Sequence, residues 1–369
     1  MTVLNIDCRS KQPPTRDLPP GKELPDSLPK PGNSHGHPTK SNENTNASLF
    51  FVGTATTILK WEGFTLMTDP NFLHAGDHVH LGPGVTGTRQ TNPAVNLEDL
   101  PQVDAILLSH YHADHFDEKV ETSLRRDLPI ITTPHAKDHL ANKASESFTN
   151  VHALDFWQDL TVDFLTSQTT SATLPKPQIH VTGMPGTHVP PGPLAAANDL
   201  LGAVPPTNGW MLELGYSSPQ GQSSQPSNTS ATNTSDSSST FQSGYRIYIS
   251  GDTLLFDDLH KIPEMYSSHT GKPIDLMLIH LGGTTIPSPK VPLLMVTMDS
   301  KMGVQLMQVI NADVTVPIHY DDYDVFLSPL SDFKKAVEDA GLNSKVVYLD
   351  RGEEYRFEVR KDESLMPIE

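Results

Sequence analysis

LLSHYHADHFDE, residues 107–118, decides how this chain is to be read. Three histidines, His110, His112 and His115, fall within six residues, with Asp114 before the last. Neutral imidazoles do not attract one another and protonated ones repel, so such a cluster calls for something that binds them together. The apolar run VDAILLSH (103–110) has the length of a strand covered on both faces. The residues after the cluster begin a helical pattern. The cluster therefore belongs on a loop at a strand's C-terminal end, where α/β sheets place their sites. Imidazole suits zinc, iron and related ions, and a carboxylate adds a harder ligand.

One loop cannot complete a metal centre. Three later segments share a format, a strand followed at once by His or Asp. VTGMPGTH supplies His188, YRIYISGD supplies Asp252 and VTVPIH supplies His319. Gly186 and Gly251 permit close backbone approach just before two of them. Five His and two Asp suffice for two metals sharing a carboxylate. The single cysteine, Cys8, excludes a thiolate-rich structural zinc site.

The surrounding chain alternates strands and helices. A hairpin is expected at 55–60 and 64–68, with strands near 129–133, 178–184, 209–215, 245–250, 274–280, 313–318 and 345–349. Helices are expected near 116–126, 135–142, 299–310 and 329–341, the last capped by Ser331 or Asp332 and stopped by Gly341. This interleaving gives a layered α/β domain. Residues 1–46, rich in Pro, Ser and Asn, read as a disordered leader to a domain spanning 47–369. Residues 217–244 read as a low-complexity loop insertion.

At this point the chain resembles a family. SHYHADH, His188, SGDT and PIHYDDYDVF resemble the metallo-β-lactamase-fold hydrolases. The spacing is closest to the branch of ascorbate-phosphate lactonase-like proteins and N-acyl-phosphatidylethanolamine phospholipase D. The resemblance implies a four-layer αββα sandwich with mixed sheets and a dinuclear centre. It implies that His110, His112 and His188 hold one metal, that Asp114, His115 and His319 hold the other, and that Asp252 bridges. Asp69, closing the opening strands FVGTATTILKWEGFTLMTDP, supports the site from behind. Two divalent ions, zinc by ligand type with manganese or iron also fitting, activate a water as the nucleophile. Asp114 and Asp252 are the catalytic carboxylates, orienting that water as well as binding metal.

Substrate contacts are expected from His78, His80 and Arg89 in the long 70–102 loop, from Tyr320 and Tyr323 past the last ligand, and from His280 at a strand end. His135 and His139, four apart on a helix with no third ligand in sequence, read as solvent-facing, and His180 as structural. The reaction expected is hydrolysis of an ester, lactone or phosphodiester in a small molecule or lipid. The alternatives are a phospholipase D-type phosphodiesterase and, from another class, a metal-binding scaffold or sensor without turnover. A net charge of −18 argues against a nucleic-acid substrate, and no apolar run approaches a membrane span. One cysteine and no signal-type leader make the cytoplasm the expected location.

Overall fold

The computed structural model describes residues 2–81, 85–167, 175–190, 192–193, 195–196, 198, 204–218, 241–288 and 291–361. Period-two alternation sorts the side chains of its two large sheets. Along Ala47–Gly53, Leu49 and Phe51 point between the sheets, whereas Phe50 and Val52 point to an outer helical layer. Ala105 and Leu107 share the inner face, and Ile106 the outer.

One sheet runs, in spatial order, Thr2–Asp7, Asp159–Leu165, Lys176–Pro185, Asn208–Ser217, Phe241–Ile249, Leu276–His280 and Val314–Ile318. Its middle is antiparallel and its last three strands are parallel. The other runs Val151–Ala153, Ile130–Thr132, Ala105–Leu107, Phe64–Thr68, Thr56–Trp61, Ala47–Gly53, Glu354–Phe357 and Ser34–His35. Helices Glu118–Ser123 and Pro134–Ala141 pack outside the second sheet through Val120, Ala136 and Leu140. Helices Ser300–Ile310 and Leu330–Asp339 cover the first through Leu306, Phe333 and Val337. The layers are thus helix, sheet, sheet, helix, with mixed sheets, as expected.

The expected hairpin is present, Trp61 facing Phe64. Three readings need correction. Residues 1–46 are not a separate leader. Thr2–Asp7 pairs in parallel with Asp159–Leu165, burying Leu4 and Ile6, and Ser34–His35 adds an edge strand beside Glu354–Phe357. The apolar alternation in TVLNID is short, and its partner lies 158 residues further along the chain, so nothing local announces it. Residues 345–349 form no strand; Val346 makes one isolated bridge to Thr315. Helix Leu330–Asp339 begins after Pro329 with no side-chain cap, although Gly341 does take the left-handed φ of 70° that ends it. Of the proposed insertion, Ser217 and 241–244 belong to the flanking strands, with Ser217 facing Phe241 in register; residues 219–240 lie outside the described residues.

Candidate metal centre

Six strands deliver the chemistry to one edge of the sandwich. Asp69 follows Phe64–Thr68, and His110 lies past Ala105–Leu107. His188, Asp252, His280 and His319 stand at or just past the C-terminal ends of Lys176–Pro185, Phe241–Ile249, Leu276–His280 and Val314–Ile318. The backbone is specialised here. Gly251 has φ 62°, and a Cβ would stand 2.2 Å from the Asn208 carbonyl oxygen, so no other residue fits. Asp69 (φ 34°), Thr54 (φ 47°) and His319 (φ 61°) occupy the left-handed region without being glycine, a strain that persists only where surroundings enforce it. For His319 the enforcement is visible: its amide donates to the Thr54 carbonyl at 2.8 Å.

The seven sequence-predicted ligands converge. His110, Asp114, His115, His188, Asp252 and His319 are all buried, and His112 is partly so. One atom each from Asp114, His115, Asp252 and His319 lie within 4.8 Å of one another. His115 Nε2 is 3.2 Å from Asp252 Oδ2, and His319 Nε2 is 3.5 Å from Asp114 Oδ2. The His110 ring centroid lies 4.2 Å from that of His115 and 4.7 Å from that of His188, and His112 lies 6.5 Å from His188.

Backing interactions fix ring orientation. His188 Nδ1 meets the Val296 carbonyl at 3.0 Å, and His319 Nδ1 meets that of Leu281 at 2.7 Å. Asp69 Oδ1 accepts from both the amide and the hydroxyl of Ser109 at 2.8 Å. The same hydroxyl lies 2.9 Å from His110 Nδ1 and 3.4 Å from His115 Nδ1. Asp69 therefore acts through Ser109, a residue the sequence reading passed over although it adjoins the cluster. With Nδ1 engaged, Nε2 is the free nitrogen of each ring. Nε2 of His110, His115, His188 and His319 is buried with no hydrogen-bond partner. Orphaned buried acceptors are rare in folded proteins. Four of them aimed at one region beside two buried carboxylates fit a metal centre.

Charge points the same way. Burial alone would raise Asp114 and Asp252; His115 with His112, and His319 with His115, outweigh it and hold both carboxyls well below the usual range. Burial opposes protonation of His115 and His319, yet Asp252 and Asp114 lift both above the usual imidazole value. Burial pushes His110 down and takes His188 to about 4. The two anions demand positive charge. A divalent ion bound by these rings would supply it and displace any protons they carry.

The remaining predicted residues divide. His280 joins the centre: its Nδ1 is 3.1 Å from Asp252 Oδ1, its ring stacks on those of His115 and His319, and its Nε2 is another buried orphan. Arg89 is turned into the domain. Its fully buried guanidinium donates to Asn71 Oδ1 at 2.6 Å and lies 3.5 Å from Asp322, holding the 70–102 loop against the domain. Tyr320 is turned inward, donating to the Leu349 carbonyl at 3.0 Å, and the buried Tyr323 hydroxyl bonds Asn71. All three are buried and engaged in hydrogen bonds or ion contacts within the domain. His78 and His80 sit exposed on the short hairpin His78–His80/Thr86–Thr88 and, among the described residues, join no metal-ligating group.

A cavity of about 550 Å³ opens on this edge, with His112 and His188 in its wall. His135 and His139 line it too, which corrects their reading as merely solvent-facing. His180 is structural as expected, stacked on Phe241 with ring centroids 3.6 Å apart.

The chain is similar to several known proteins. Residues 60–215 match the family described as "Beta-lactamase superfamily domain". A "UPF0173 metal-dependent hydrolase" of Staphylococcus carnosus (strain TM300) is 24% identical over 288 residues, covering 77% of this chain and 93% of its own length. The crystal structure of isothiocyanate hydrolase from Delia radicum gut bacteria superposes with a TM-score of 0.58 at 18% identity, over 83% of this chain and 98% of that one. "A possible metal-dependent hydrolase" from Veillonella parvula DSM 2008 gives a TM-score of 0.57 at 16% identity, over 84% and 98%. The chain has the α/β metallo-β-lactamase fold with mixed sheets, and its homologues are named metal-dependent hydrolases.

Proposed function

We propose that this chain hydrolyses an ester, lactone or phosphodiester of a small molecule or lipid at a two-metal centre built from His110, His112, Asp114, His115, His188, Asp252 and His319. One observation carries the reading: unpartnered Nε2 atoms of four buried histidines converge with two buried carboxylates beside an open cavity. Metal bound there supplies an acidified water and a clamp on the oxyanion that develops at the substrate. The chain's own contributions are separate. Asp114 and Asp252 place acceptor oxygens for the proton of an attacking water. Asp69 and Ser109 lock the rings of His110 and His115. His280 holds the inner oxygen of Asp252, leaving the other to face the centre. The cavity is of small-molecule size, within the usual ~300–1,000 Å³ for ligand sites.

The narrower reading within this class is a lactonase or a phospholipase D-type phosphodiesterase acting in the cytoplasm. Zinc is the preferred metal by ligand type, with manganese and iron fitting the same donors. The isothiocyanate hydrolase among the structural neighbours adds that bond to the candidates. The test is a panel of lactones, phosphodiesters, phospholipids and isothiocyanates assayed with the metal-loaded chain and with Asp252→Ala. Turnover by the parent that disappears in the variant supports the proposal. No turnover on any member, in protein carrying its metals, favours a non-catalytic metal scaffold. Turnover by Asp252→Ala at the parental rate contradicts the mechanism.

A further inference from the structure

Helix Pro134–Ala141 carries two histidines whose placement the centre does not explain. Thr133 caps it, its hydroxyl accepting from the Ala136 amide at 3.1 Å, so its first turn is firmly set. Spacing of i, i+4 puts His135 and His139 on one face. Their Nε2 atoms stand 3.2 Å apart, with ring centroids at 4.5 Å and planes 53° apart. His139 is held flat against the Tyr111 ring, centroids 5.0 Å apart and planes within 10°. Tyr111 is anchored in turn by donating to Glu121 at 2.7 Å. The His139 ring is thus oriented by Tyr111, and the capped helix sets where His135 stands beside it.

We propose that His135 and His139 form a second, independent metal site that binds a divalent transition-metal ion through their two Nε2 atoms, its open positions facing the cavity. The geometry fits. Two imidazoles bound to one ion at about 2.0–2.1 Å stand roughly 2.9–3.4 Å apart as the angle between them runs from octahedral to tetrahedral. The observed separation falls inside that range. Burial and the neighbouring His139 push His135 below the usual imidazole value, keeping it in the neutral form that ligates. Among the described residues no third His, Cys, Asp or Glu joins them. A site with two protein ligands is therefore open, and its remaining positions are available to small ligands.

Location gives it a role. The same cavity wall includes His112 and His188, so an ion held by this pair would share one cavity with two of the proposed ligands of the centre. Such an ion anchors an anionic or chelating group, a carboxylate or a phosphate, at the end of a substrate away from the bond that reacts. That role rests on the hydrolase reading; the ion site does not.

A neutral N–H···N bond between the two rings would give the same separation, and one experiment divides the readings. The full chain, stripped with chelator, is titrated with zinc chloride by calorimetry. The parent is compared with His135→Gln, His139→Gln and the double variant. His139 is exposed and His135 partly so, and the variants therefore keep the fold, which circular dichroism checks. The expected result is a weaker class of one ion per chain beyond the tight ions. Each single substitution weakens it, the double abolishes it, and the tight class is unchanged. Identical isotherms in all four proteins overturn the proposal. Loss of the tight class along with the weak one also overturns it, since the pair would then be part of the centre. If every protein lacks the tight class but only the double variant lacks the weak one, the pair stands and the hydrolase reading falls.

Discussion

Asp322→Ala should unfold much of what the active edge depends on, without touching a candidate ligand. The carboxylate is fully buried. It accepts from the Thr54 amide at 2.7 Å, from Arg351 Nε and a terminal nitrogen at 2.9 and 2.6 Å, and from the Thr91 hydroxyl. It also lies 3.5 Å from the Arg89 guanidinium, whose side chain is wholly buried. Asn71 and Thr54, the other side chains bonded to Arg89, are neutral. Truncation leaves that charge buried and unpaired, which costs about 3–5 kcal/mol. The Thr54 amide loses its acceptor as well, worth about 1–3 kcal/mol, but the two effects share one relaxed pocket and do not add fully. We expect a loss of roughly 4 kcal/mol, a large part of the ~5–15 kcal/mol that a domain has. Urea unfolding of metal-free protein measures it. Asp322→Asn, which keeps an acceptor for Thr54 and loses only charge, should cost less. Because Thr54 also accepts the His319 amide, zinc affinity should fall in the alanine variant. A loss below about 1 kcal/mol would refute the reasoning, since Arg89 would then need no anion.

Asp69→Asn should weaken zinc binding by about 10–100-fold while changing no ligand, because Ser109 loses its charged acceptor; competition against a chelator of known affinity reads this. Zinc binding at pH 7 should release about one to two protons per chain, since His115 and His319 are lifted above the usual imidazole value and must deprotonate to ligate. The sign follows: affinity rises with pH until both have titrated. Calorimetry in two buffers of different ionisation heat detects the release, and zero release would contradict the charge balance described. Leu4→Ala should cost about 2–3 kcal/mol in urea unfolding, since the side chain is buried in the first sheet; no change would mean that Thr2–Asp7 is not docked in solution. Replacing residues 219–240 by a four-residue Gly/Ser turn should leave metal content unchanged and shift stability by no more than about 1.5 kcal/mol, in the stabilising direction. Ser217 and Phe241 already face each other in register, so a short turn can close the strands.

Much of the centre was legible because its signals are local. HYHADH carries four donors in six residues, and His188, Asp252 and His319 each follow an apolar run of strand type. Strand ends and ligand positions can be read from such runs without knowing how the sheets pair. What escaped depends on contacts distant in sequence. TVLNID holds two inward residues, and only its pairing with 159–165 makes them core. Arg89 and Tyr320 carry the right chemistry for substrate contacts, but orientation decides. Asp322 and the Leu349 carbonyl claim them, and neither partner is visible in the sequence. His135 and His139 were set aside for want of a third ligand in sequence. Their place in the cavity wall comes from Gly186–Val189 and Val204–Thr207, brought there from elsewhere in the chain. Asp322 ties Arg89, Arg351 and Thr54 together behind His319, and no local signal in HYDDYDVF announces those partners.

The central claim is that the converging Nε2 atoms and the two buried carboxylates hold metal. Elemental analysis of the chain purified without chelator and desalted tests it most directly, with Asp252→Ala alongside. The account predicts about two tightly held divalent ions per parent chain, because seven donors exceed what one tetrahedral ion uses, and a clear fall in the variant, which loses the shared carboxylate. Parent protein that is folded, carries essentially no metal and takes up neither zinc nor manganese when they are added would contradict it.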